Sequence, residues 1–190
     1  MSMSNTMSSH LKFKPCGWIN HISRPAVLMV LIGFYLVFVL VLFPALGGDG
    51  KAAPLDLMFS YSPDQAYQKI ESYGPEIRHL YAISAMTLDV AYPLTYSLMF
   101  SVWLSLLLPH KSKAACSICM LPFAVLLFDL LENSGIVILL LMFPKRLEML
   151  AMATSLATSL KWISAATVIL ITLGLSLTTF LRFILNHQKQ

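Results

Sequence analysis

Four long runs of apolar residues divide the chain, at 26–45, 80–108, 114–143 and 162–185. A helix crossing a hydrocarbon core about 30 Å thick needs about 20 apolar residues at 1.5 Å rise, and each run suffices. The first follows Lys12, Lys14 and Arg24, as the core of a secretory signal would. Its length of about 20 residues exceeds the 7–15 of a signal core, so it reads as a retained anchor. The pattern predicts an all-α fold, an integral membrane four-helix bundle with a short extracytoplasmic amphipathic helix. By segment, 1–25 is a cytoplasmic N-terminal stretch, and 26–45, 80–108 and 114–143 are the first three transmembrane helices. Residues 46–79 form an extracytoplasmic loop with the amphipathic helix. Residues 144–185 hold an outer segment and the fourth span, and 186–190 form a cytoplasmic tail.

The polar stretches carry local signals. In the N-terminal segment Leu11, Phe13, Trp18 and Ile19 alternate with Lys12 and Lys14, which suits the headgroup level of a bilayer. Pro25 introduces the first span. Ser62-Pro63-Asp64-Gln65 is a capping box with proline at the first helical position. Ala66, Tyr67, Ile70 and Tyr73 then make one apolar stripe, and Gly74-Pro75 stops the helix. This short helix is expected on the outer bilayer surface or over the mouth of the bundle, with Leu57, Met58 and Phe59 dipping into the interface before it.

Composition agrees with a membrane setting. Of 190 residues 57% are hydrophobic and only 12% charged, against about 25% charged in a soluble domain. Net charge is +4, but the basic residues sit mostly beside the spans, where the positive-inside rule explains them better than nucleic acid does. Residues 1–25, the turn around His110 to Lys113 and the tail from Arg182 together hold seven Lys/Arg and no acid. Segments 46–79 and 144–161 hold six Lys/Arg and six Asp/Glu. Both termini are therefore expected in the cytoplasm, although Lys145 and Arg146 in the short outer turn oppose that orientation.

Ionisable residues in the spans are the informative ones. Asp89, Tyr92 and Tyr96 fall at i, i+3 and i+7 on one helical face, and Asp129, Glu132 and Asn133 fall at i, i+3 and i+4 on the next helix. The short connection makes those helices antiparallel neighbours, so the faces can meet. Counting at 1.5 Å per residue puts Asp89 roughly 28 Å from the inner boundary, Glu132 roughly 27 Å and Lys161 roughly 31 Å. All three lie near one edge of the hydrocarbon core, with Arg78, His79, Tyr81 and Ser84 above them. A charge within hydrocarbon costs about 2.5–3.5 kcal/mol or more, so these groups must face the bundle, water or a partner. Lys161 can neutralise one carboxylate, and two close carboxylates would share a proton. Such a set can grip a cationic or hydroxylated group, move a proton, or act as general acid and base. It can equally hold helices together, at about 0.6 kcal/mol per hydrogen bond. Lys161-Trp162 also suits an interfacial anchor.

Pro93 lies one turn beyond Asp89, so it is expected to kink its helix and to free the Asp89 carbonyl for a side chain or water. Pro122 can act similarly in the third span. Cys116-Ser-Ile-Cys119 has the spacing of a redox pair. At a cytoplasmic face its thiols are expected to stay reduced, and no second pair accompanies it. The five histidines include no i, i+4 pair, so no metal site is predicted, and no cofactor motif is present. Gly47-Gly48-Asp49-Gly50 is a flexible turn, and the eleven methionines read as packing residues.

The segments Leu88-Asp89-Val90-Ala91-Tyr92-Pro93-Leu94-Thr95-Tyr96 and Phe128-Asp129-Leu130-Leu131-Glu132-Asn133, with Tyr73-Gly74-Pro75-Glu76 upstream, carry a resemblance. Over about residues 60–143 the chain resembles small four-helix bacterial integral membrane proteins for which no activity is established. That resemblance implies a bundle architecture and no mechanism. The functional expectation is binding of a lipid headgroup or small amphiphile in an outward-facing polar pocket at Asp89, Tyr92, Tyr96, Asp129, Glu132, Asn133 and Lys161. One alternative is a membrane-embedded enzyme using paired carboxylates on a lipid, with no catalytic residue assigned. The other is a structural or accessory subunit of a larger membrane complex. The expected partners are membrane lipids, such an amphiphile and a membrane protein, in an inner or plasma membrane.

Overall fold

A computed structural model describes residues 17–46, 54–108 and 112–188, and among them the chain is all-α with no strand. Four helical runs are long and apolar enough to cross a membrane: Pro25–Ala45, Gly74–Leu107, Lys113–Met142 and Glu148–His187. Leu11, Lys12, Phe13, Lys14, the 47–50 turn and His110 fall outside the described residues.

The first helix, α1 (Gly17–Ile22), buries Ile19 against Leu104 and Cys119, while Trp18 meets the ring of Phe123. Pro25 starts α2 (Pro25–Val37), which passes through a π turn at Phe38–Leu42 into α3 (Phe43–Leu46). In the π turn the Phe43 amide bonds to Phe38 O, five residues back. Pro44 next in line has no amide to continue the ordinary ladder. The turn also re-aims side chains. Residues five apart in an α-helix point about 140° away from each other, yet here Phe38 and Phe43 both reach Tyr92.

After a single 3-10 turn at Leu55–Leu57 comes α4 (Pro63–Ser72). Its capping box forms as the sequence predicts: Gln65 N donates to Ser62 Oγ and Ser62 N to Gln65 Oε1. The stripe Ala66, Tyr67, Ile70 and Tyr73 is buried with Leu55, Tyr61, Ala82, Ile136, Leu139, Leu140 and Ala151, so α4 covers one end of the long helices. Gly74 takes φ 70°, where a side chain would strain, and Pro75 follows in the first turn of α5 (Gly74–Met86).

The break in the second long run falls at Thr87, between α5 and α6 (Leu88–Leu107), whereas Pro93 lies inside a continuous α6. The run is interrupted six residues before Pro93. There Thr87 Oγ1 donates to Ile83 O at 2.7 Å and its amide to Ser84 O, closing α5 before α6 begins. Helix α7 (Lys113–Met142) packs on α6 and on α8 (Glu148–His187), which is already helical 14 residues ahead of Trp162. Along the α6–α7 contact, Ser97 Oγ donates to Pro122 O and Ser101 Oγ to Cys119 O, while Ser105 Oγ donates to Asn20 Oδ1. Small side chains at these three buried positions let the backbones approach. Gly135 serves the same purpose against α8, since a Cβ there would lie 2.1 Å from Thr154 Oγ1. Cys119 is a free buried thiol and Cys116 is disulfide-bonded, so they do not pair with each other.

Candidate functional site: a carboxylate layer under a backbone strap

The two polar faces do meet. Tyr96 on α6 donates its hydroxyl to Asp129 Oδ2 on α7 at 2.7 Å. Asn133 Nδ2 donates to Asp129 Oδ1 at 3.2 Å and to the Asp89 carbonyl at 2.7 Å. That carbonyl lies four residues before Pro93, so the freed acceptor of α6 is met by a side chain of α7. Asp89 itself is half-buried and accepts from Ser84 Oγ on α5 at 3.4 Å.

Glu132 is fully buried, at 0% exposure, and forms an ion pair through Oε2 with Lys161 on α8. Its other oxygen accepts from Thr158 Oγ1 at 2.8 Å. Lys161 is also buried, and it lies within electrostatic range of Asp129 and Asp56 as well as Glu132. Asp89 likewise lies within range of Asp56, Asp129 and Lys161. The four carboxylates and one ammonium therefore form a single electrostatic unit.

Tyr92 belongs to a different arrangement. Its ring turns toward the first span and packs on Tyr35 (5.6 Å), Phe38 (5.7 Å), Phe43 (5.0 Å) and Tyr96 (5.2 Å). Through Tyr96 this aromatic cluster abuts Asp129 directly. Of the seven residues read from the sequence, Asp89, Tyr96, Asp129 and Asn133 are joined at the α6–α7 contact, Glu132 and Lys161 pair across α7 and α8, and Tyr92 borders them as a ring.

Residues 54–62 form a strap over the Glu132–Lys161 side. One face of α8 holds the strap by its backbone: Lys161 Nζ donates to Asp56 O, Trp162 Nε1 to Met58 O and Ser159 Oγ to Phe59 O. In return Tyr61 N donates to Ser155 Oγ. The strap adds residues that sequence reasoning missed. Asp56 accepts from the Tyr81 hydroxyl at 2.6 Å, so Tyr81 lies in the layer and not above it. Asp56 is the only charge in the run Pro54-Leu55-Asp56-Leu57-Met58-Phe59, a signal available in the sequence. Thr158, three residues before Lys161 on the same face, was a second one. The Tyr61 hydroxyl lies beside Thr158 yet meets no acceptor in hydrogen-bonding geometry. Burial pushes the phenols of Tyr61 and Tyr73 well above the usual tyrosine range, so both stay neutral.

A recess lined by Asp64, Tyr67, Glu71, Phe143 and Arg146 runs along α4 and includes no residue of the layer. Among the described residues no three His, Cys, Asp or Glu side chains converge as metal ligands. Comparison with known protein families, with curated proteins and with solved structures returned no match.

Proposed function

We propose that the chain is a multi-pass membrane protein, a four-helix bundle that binds the headgroup of a lipid or small amphiphile at the carboxylate layer, and that this headgroup is cationic. The membrane part rests on the four long apolar helices and on the apolar side chains exposed along them, such as Val30, Leu40, Leu94, Leu127 and Leu170. The binding part rests on one observation. Asp56, Asp89, Asp129 and Glu132 surround a single ammonium, Lys161, whose ion pair is with Glu132. Asp89 and Asp129 are left with neutral hydrogen-bond donors.

A carboxylate taken from water without a counter-charge costs several kcal/mol, so such a group either holds a proton or meets a cation. A layer serving only as scaffold would need no such surplus. An alkylammonium group would supply the missing charge, and the rings of Tyr96, which bonds Asp129, and of Tyr92 against it add faces that attract cations. In this reading Asp89 and Asp129 hold the headgroup, Tyr92 and Tyr96 border it, and Asn133 fixes the two helices. Glu132 and Lys161 carry the scaffold role, so the structural reading applies to that half of the layer.

Both termini are assigned to the cytoplasmic face, because the segments on their side carry basic residues without acids. Lys145 and Arg146 in the short outer turn favour the opposite orientation. Labelling at Ser62 decides between the two.

The headgroup reading is tested with the purified protein in nanodiscs, titrated with amphiphiles of one chain length carrying trimethylammonium, glucoside or sulfate heads. Saturable binding of the ammonium compound alone is the expected result. Equal binding of all three would remove the reading.

A further inference from the structure

The strap and the helix after it are attached in different ways. Helix α4 is fixed by its capping box, by the buried Tyr67 bonded at Lys145 O and Leu147 N, and by the Asp64–Arg146 ion pair. Residues 54–62 are held by the four backbone rungs to α8, by the Tyr81–Asp56 hydrogen bond and by Leu55 and Tyr61 in the core cluster. Only Leu55 and Tyr61 of the strap are buried, while Leu57 and Phe59 are 61% and 58% exposed. The Tyr61 hydroxyl lies beside Thr158. A segment with few buried apolar side chains, held largely by side-chain bonds, opens more readily than the core beneath it.

We propose that residues 54–62 are a lid that lifts as a unit, hinged at Ser62, while α4 stays docked. Lifting withdraws Asp56 from Tyr81 and Lys161 and uncovers Thr158, Glu132 and Lys161, so the strap controls access to the layer. This deepens the headgroup reading by giving that site its gate, and the test below reads opening with no ligand present.

Thr158 is fully buried under the strap, so Thr158→Cys reports lifting. The full-length variant in nanodiscs is exposed to a small water-soluble thiol reagent, and labelling of that peptide is followed by mass spectrometry. Amide exchange at Tyr61 and Ala66 is measured in parallel. Tyr61 is expected to exchange at least about tenfold faster than Ala66. Adding Ser155→Ala with Trp162→Phe removes two rungs and is expected to raise labelling of Thr158→Cys by about tenfold, with Ala66 unchanged. Three results overturn the lid: unchanged labelling in the weakened variant, equal exchange at Tyr61 and Ala66, or acceleration of both amides together. Ser159→Ala alone, a milder change, gives the same reading if the double change impairs folding.

Discussion

The side-chain amide of Asn133 donates to the main-chain carbonyl of Asp89 at 2.7 Å, and Pro93 is the residue that leaves that carbonyl without a helical donor. A defect in one helix thereby becomes a contact with the next. Asn133→Ala leaves the carbonyl buried and unmet, at an expected cost of about 1–3 kcal/mol. Pro93→Ala restores the amide, so the same Asn133 change is expected to cost less in that background. The remainder reflects the lost bond to Asp129. Equilibrium unfolding of the four proteins of this double-mutant cycle checks the coupling, and strictly additive losses would mean that the two residues act independently.

Glu132 and Lys161 are a buried pair, and removing one partner strands the other. Lys161→Met and Glu132→Gln are each expected to destabilise, the lysine change by roughly 3–5 kcal/mol because a bare carboxylate remains. The double variant is expected to recover most of that loss. Thermal unfolding of the detergent-purified proteins measures it. A double variant no better than Lys161→Met would show that the lysine acts chiefly through the strap at Asp56.

Gly135 faces Thr154 so closely that a Cβ would meet Thr154 Oγ1 at 2.1 Å and Cγ2 at 2.9 Å. Gly135→Ala must push α7 from α8, at an expected cost of about 1–3 kcal/mol. Thr154→Ala removes both of those atoms and is expected to relieve much of it. Denaturant titration of the single and double variants reads the relief, whose absence would place the strain elsewhere.

Topology is open to a direct chemical test. Ser62→Cys is expected to react with a membrane-impermeant maleimide added outside intact cells, because Ser62 follows Tyr61, which bonds Ser155 near the start of α8, and the proposed orientation puts that end outside. Reaction only after permeabilisation would invert the orientation.

The long apolar helices, the capping box and the two polar faces were legible because each depends on short-range spacing: about 20 apolar residues, serine three before glutamine, carboxylates a turn apart. The fate of the Asp89 carbonyl was legible for the same reason, from a proline four residues on. The strap was not. Ser155, Ser159 and Trp162 recognise backbone groups, and a backbone acceptor carries no residue identity that a pattern could reveal. The choice of Glu132 as the partner of Lys161 was also hidden, because it depends on how α8 crosses α7 at Gly135. The break at Thr87 shows the same limit, since no proline or glycine marks it in the sequence.

The central claim is that Asp89 and Asp129 are surplus to the scaffold and hold a cationic headgroup. The most direct measurement titrates an alkyltrimethylammonium into nanodiscs of the wild type and of the Asp89→Asn, Asp129→Asn double variant, with thermal unfolding recorded for both. The account predicts affinity lowered at least about tenfold, a difference of about 1.4 kcal/mol, with unfolding temperature maintained or raised. Undiminished affinity in the double variant, or a protein that no longer folds without these charges, would contradict it.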